Sequence, residues 1–158
     1  MSSVQINRKF KKILVAVDGS QESMAAADYA ISFAAAQKDN SELILLHVIP
    51  SEAKFGHSSG IFGVVSPKLM ERMEQEVHKW FEKIKAKIGN TYSAITVSTE
   101  VISTGASPQV AIVEYAENKN IDLIVVGTRG MSGLRKLLLG SVALGIIKYS
   151  HCPVLIVK

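Results

Sequence analysis

Apolar residues along this chain follow two rhythms, and the alternation between them predicts the fold. Ile13-Leu14-Val15-Ala16-Val17 is a continuous, partly β-branched run that stops at Asp18-Gly19-Ser20. That is the pattern of a strand buried on both faces and closed by a turn. Residues 21–37 are rich in alanine and carry Met24, Ala27, Ile31 and Ala34 at helical spacing. Leu43 to Ile49 is a second apolar strand, ended by Pro50. Residues 50–65, with Gly56, Gly60, Gly63 and several serines, read as one long irregular connection, and connections of that length are usually functional or mobile.

Ser66-Pro67 supplies a helix cap followed by a proline suited to the first helical position. Met70, Met73, Val77, Trp80, Ile84 and Ile88 then recur at steps of three and four, which is one helix face, read here as core. From Ile95 the period changes to two. Ile95, Val97, Thr99 and Val101 alternate with Thr96, Ser98 and Glu100, which predicts a strand with one wet face. Ser107-Pro108 repeats the cap-and-proline start, and Val110, Val113 and Ala116 continue a third helix. Ile121 to Val126 is again wholly apolar and ends at Gly127. A glycine-spaced segment, a helix from about Ser141 to Ser150 and the strand Pro153-Val154-Leu155-Ile156-Val157 complete the chain.

Five strands alternating with four helices predict an α/β fold, a doubly wound parallel sheet with helices on both faces. The strands at 13–17, 43–49 and 121–126 belong in its middle and the alternating strand at 95–102 at an edge. Counting the strands in chain order, the expected arrangement is 3-2-1-4-5. The last strand is then an edge that is apolar until Lys158, and exposed apolar edges invite pairing with another chain. The expectation is a homodimer paired through residues 153–157.

Length and composition narrow the picture. The 158 residues suit a single domain, 1–158. A mixture of 47% hydrophobic and 20% charged residues is too apolar for disorder. Apolar runs fall short of the roughly 18 residues that span a bilayer, so no membrane partner is expected. Cys152 stands alone, and the first residues lack the pattern of a secretory signal; the expected compartment is the cytoplasm. The net charge of +4 fits anionic ligands, but the only tight basic cluster is Arg8, Lys9, Lys11 and Lys12, without interleaved aromatics. Nucleic acid is therefore a minor reading.

The candidate chemistry lies where the predicted strand order reverses, beyond the carboxyl ends of the first and fourth strands. The first strand delivers Asp18, Gly19 and Ser20 there, flanked by Ala16 and Val17. The fourth delivers Gly127-Thr128-Arg129-Gly130-Met131-Ser132-Gly133 and then Gly140-Ser141-Val142. Glycines let backbone N–H groups approach a ligand closely. Gly140-Ser141 opens a helix whose first amides suit phosphate oxygens, and Arg129, Arg135 and Lys136 add countercharge. The P-loop pattern and the dinucleotide glycine fingerprint are both absent. His47, His57, His78 and His151 show no metal-ligand spacing, so no protein metal site is expected. No histidine is expected near Ser141 or Thr128, and no catalytic residue is assigned.

The spacing Gly127-x2-Gly130-x9-Gly140-Ser141 after Asp122-Leu123-Ile124-Val125-Val126 resembles the nucleotide-binding motif of the universal stress protein family. Residues 13–20, Leu45-Leu46-His47-Val48 and the closing strand fit the same family, so the likeness covers residues 10 to 158. The resemblance implies an adenine-nucleotide alpha-hydrolase-like fold and an ATP-binding protein, typically a homodimer. By position, Asp18 would hold the ribose or the adenine edge, and the backbone around Val48 would meet the adenine. Gly127, Arg129 and Gly130 would line the ribose and phosphates, with Thr128, Met131 and Gly133 in the same segment. Gly140, Ser141 and Val142 would cradle the phosphate tail, with Mg2+ or Mn2+ arriving on the phosphates. The reading is a nucleotide-dependent stress-response regulator acting on a protein partner. A weak ATPase, or an interaction module to which the nucleotide is incidental, are its alternatives.

Overall fold

The computed structural model describes residues 10–37, 40–55, 61–64, 66–89, 94–130 and 139–158. Five of its strands are β1 (Lys12–Ala16), β2 (Ser41–Pro50), β5 (Ile95–Thr104), β6 (Leu123–Gly127) and β7 (Val154–Val157). They form one parallel sheet in the order β5-β2-β1-β6-β7. Without the short β3 and β4 this is 3-2-1-4-5, the arrangement expected from the hydrophobic pattern. The helices α1 (Gln21–Ala36), α2 (Pro67–Ile88), α3 (Pro108–Asn118) and α4 (Ser141–Tyr149) cover its two faces.

Alternation along the central strands builds two cores. Ile13 and Val15 of β1 join Leu43 and Leu45 of β2 under Ala27, Ala30, Val77, Phe81 and Ile84 of α1 and α2. Leu14, Ile44 and Leu46 point the other way, onto Ile112, Val113, Ala116, Ala143 and Ile146 of α3 and α4. Alanines at the α1 contact keep that helix close to the sheet; Ala26, Ala27 and Ala30 are wholly buried. Register at the start of β1 is pinned by Asp122, whose Oδ2 accepts the backbone N–H groups of Lys11 and Lys12 at 3.0 and 2.9 Å.

Three expectations change. Residues 50–65 are not one irregular connection: β3 (Glu52–Phe55) pairs antiparallel with β4 (Ile61–Val64), Glu52 opposite Val64. Two four-residue strands are too short for a period of two to stand out among glycines and serines. On α2 the buried face is Val77, Phe81, Ile84 and Ile88, whereas Met70, Met73 and Trp80 are only partly covered. Residues 67–76 of α2 are exposed or half-buried, so the contact of this helix with the core begins at Val77. Val110 of α3 is exposed, while Val113 and Ala116 are buried together with Ala111 and Ile112.

The remaining edges fall where expected. β5 has one wet face and lies at one edge; β7 lies at the other, with Val154, Leu155 and Ile156 half-buried. Among the described residues no helix is long and apolar enough to cross a membrane.

Candidate functional site

β1 ends at Ala16, four residues before β2 would have exhausted its own length against it, and that mismatch makes a gap in the sheet. The backbone of Glu42 bonds to Lys11, and Val17 N–H donates to Leu46 O at 2.9 Å. Even-numbered residues of β2 therefore turn their backbone groups toward β1, because backbone direction alternates along a strand. Val48 follows this parity, so its N–H and C=O face the space beyond the end of β1.

The chain leaving β1 turns sharply at Gly19, whose φ is +80°. A side chain there is disfavoured by the backbone angle, and it is also blocked: a Cβ would lie 2.5 Å from the ring of Trp80 on α2. Asp18 Oδ1 accepts from Ser20 N–H at 3.0 Å and from Ser20 Oγ at 2.5 Å. Ser20 is at the same time the cap of α1, its Oγ accepting from Ser23 N–H at 3.2 Å. Buried Ser23 completes the turn by accepting from Asp18 N–H and donating to Ser20 O. The carboxylate of Asp18 is thus fixed by the first turn of the helix it precedes.

Across the gap, β6 runs into Gly127, where a Cβ would come within 2.8 Å of the backbone of Glu22. The end of β6 consequently lies directly beneath the start of α1. Thr128 N–H donates to Val157 O at 2.8 Å, and Gly140 N–H returns to Thr128 O at 2.7 Å, which brings α4 back to the strand end. At Gly130 a Cβ would lie 2.6 Å from Asp18 Oδ2, so the two sides of the gap touch there. Gly140 caps α4 in an extended conformation with no side-chain cap bond. The first amides of α4 are left to whatever occupies the cleft, and they carry the positive end of the helix dipole.

These parts enclose a cleft of about 160 Å3. Ala16, Val17, Asp18, Val48, Gly127, Thr128, Arg129, Gly130, Gly140, Ser141 and Val142 all line it, so the structure brings together eleven residues singled out from the sequence. Met131 and Gly133, with Arg135 and Lys136, lie outside the described residues. Sequence reasoning missed Leu46, Pro108, Ile112, Val126 and Ala143, which with Val48 make much of the wall apolar, and it missed Ser23 and His47. Apolar walls with a few convergent polar groups and an uncapped helix start suit a flat heterocycle carrying an anionic tail.

His47 lines the cleft from β2 and is held at the Val17 side of it. Its Nδ1 is 2.6 Å from Val17 O, so that nitrogen carries the proton and donates to the carbonyl. Its ring stands edge-on to Trp80, with centroids 5.4 Å apart at 79°. Burial pushes the imidazole pKa below its usual value, against the upward pull of the Val17 bond and the Asp18 charge. The signal was present in the sequence, since His47 is the one polar residue in Leu43–Ile49. Among the described residues no group of three or more His, Cys, Asp or Glu side chains is placed to hold a metal ion.

Residues 9–158 match the universal stress protein family. A universal stress protein of Methanocaldococcus jannaschii is 37% identical over 150 residues, covering 94% of this chain and 82% of its own. Among solved structures, the universal stress protein UspA from Lactobacillus plantarum superimposes with a TM-score of 0.76 at 25% identity, over 96% of this chain and all of that one. A second, a universal stress protein in complex with cAMP, gives a TM-score of 0.65 at 26% identity, over 96% and 98% of the two chains.

Proposed function

This chain belongs to the universal stress protein family, and on that premise we propose that it binds an adenine nucleotide, ATP in the first instance, as a dimeric nucleotide-dependent regulator. The observation that carries the proposal is the pairing of two features in one cleft. At one end, the backbone N–H and C=O of Val48 face past the end of β1 and offer a donor and an acceptor side by side. At the other, the uncapped start of α4 offers Ser141, Val142 and Ala143 amides, with Arg129 beside them. A purine presents an acceptor and an exocyclic donor on one edge, and apolar Val48, Ile112 and Val126 suit its faces. A phosphate suits the helix start. The family neighbour solved with cAMP supports the same chemical class.

In this reading Asp18 meets the ribose, acting as an acceptor for its hydroxyls from a carboxylate already oriented by Ser20. Thr128 and Gly130 line the path between sugar and phosphates, and Gly140 lets the chain pass close to them. Mg2+ or Mn2+ would be held chiefly by phosphate oxygens. Homodimerisation would use the open side of β7.

The test is to purify the protein without added nucleotide, denature it and identify any adenine nucleotide released, then to titrate the emptied protein with Mg-ATP and with AMP. The Gly130→Val variant, which would force bulk against Asp18 Oδ2, is expected to weaken binding by at least about tenfold. A flat titration of the unmodified protein would overturn the nucleotide reading and leave an interaction module in its place.

A further inference from the structure

We propose that His47 is a positioning residue of the cleft: its side chain, clamped by Trp80, sets the Val17–Ser20 turn and so the place of Asp18. The claim about the turn stands on the geometry of the protein alone; the effect on affinity rests on the nucleotide reading above.

Val17 is held on both sides of its peptide unit. This residue lies one position beyond β1, and β2 grips both of its polar backbone groups. Leu46 O accepts its N–H at 2.9 Å, as a further rung of the ladder would. Its carbonyl is met by the imidazole of His47 at 2.6 Å, a short bond to a side chain. In a parallel ladder that carbonyl would be the acceptor for Val48 N–H. By taking it up, His47 ends the β1–β2 ladder in a defined way and leaves the Val48 amide directed into the cleft.

The second contact locks the imidazole. Trp80 stands edge-on to His47, and the same indole lies against Gly19, where a Cβ would be 2.5 Å from it. One aromatic ring from α2 therefore touches the side chain that holds Val17 and the backbone two residues on. Asp18 lies between these two fixed points. Its Oδ1 takes both the N–H and the hydroxyl of Ser20, and its Oδ2 faces Gly130 across the cleft. A shift of Val17 is passed to Asp18 because the turn is held at both ends, and the Asp18–Gly130 separation leaves little room for such a shift.

The experiment compares wild type with His47→Asn and His47→Leu. Asparagine keeps an N–H donor at the δ position, whereas leucine fills similar space with no donor. In nucleotide-free protein, amide hydrogen exchange at Ser20 should be about tenfold faster in His47→Leu, with Leu43 and Leu45 unchanged, and near the wild-type rate in His47→Asn. Titration with Mg-ATP should follow the same order, about tenfold weaker for leucine and near wild type for asparagine. The 15N spectrum of His47 in the unmodified protein should show the neutral ring protonated at Nδ1, a readout that needs no variant to fold. Unchanged Ser20 exchange in His47→Leu, equal behaviour of the two variants, or a ring protonated at Nε2 alone would each overturn the proposal. If wild type binds no adenine nucleotide, the functional reading fails while the exchange and tautomer results still decide the role of His47.

Discussion

At the scale of single residues, the positions that define the cleft differ in how they announce themselves. Asp18 was legible because an acidic residue after a buried strand, followed by Gly-Ser, has few reasons to be there other than a turn or a ligand. His47 shows in the sequence only as a polar residue in an apolar strand, because what gives it a role is a carbonyl thirty positions away and an indole on another element. Its titration makes a prediction. Burial lowers its pKa in the folded protein below the ordinary value of 6.5, so the unfolded chain binds more protons in that range. Its contribution is fully present above about pH 6.5 and is lost as the pH falls through that value toward the folded pKa. Thermal unfolding followed between about pH 7.5 and 5 should show a melting temperature that drops on acidification, and the drop should be smaller in His47→Asn. Identical profiles would mean that other groups carry the acid sensitivity. Gly127 offers a second case. A Cβ there meets the backbone of Glu22, which has no rotamer to change, so Gly127→Ala should destabilise by about 1–3 kcal/mol in a denaturant titration.

At the scale of elements, the helices and long strands were readable because each is written in a repeating pattern many residues long. Caps were readable as residue types but not as bonds. Ser20 and Ser66 make their cap bonds, Ser66 Oγ accepting from Leu69 N–H at 3.3 Å, while Ser107 before α3 makes no side-chain cap bond. Ser66-Pro67 and Ser107-Pro108 look alike in sequence, yet only one is working as a cap. Ser66→Ala should therefore cost about 1 kcal/mol, lowering the melting temperature by roughly 2–4 °C. Ser107→Ala should shift it by less than about half of that. Equal losses would show that the cap bond is not what distinguishes the two starts. The β3–β4 hairpin and the burial of Phe81 in place of Trp80 escaped the pattern for opposite reasons. The hairpin strands are too short to show a period, and Trp80 is the right kind of residue on nearly the right face but lies against Gly19.

At the scale of the whole molecule, the strand order decides both where the cleft lies and which edges remain open. Pro153 O and Val157 O accept from Ile124 and Thr128, so the odd-numbered residues of β7 face β6. Val154 and Ile156 therefore turn their backbone groups to the open edge, which is the surface a second copy would pair with. Sedimentation velocity should find a dimer of the 17.1 kDa chain, and Ile156→Pro, which removes an outward N–H without touching the bonds to β6, should shift it to monomer. A monomer in the unmodified protein would remove the edge-pairing reading. The α/β class, the order of the five sheet strands and most of the cleft lining from the first and fourth strands are legible in the chain alone. Those features depend on local periodicity and on glycine, serine and acidic residues at strand ends, which act over a few neighbours. It took the folded arrangement to bring Pro108 and Ile112 to the cleft from α3 and to set His47 and Trp80 against the Asp18 turn from β2 and α2. These are contacts between residues far apart in the chain, fixed by strand lengths and packing that no local pattern encodes.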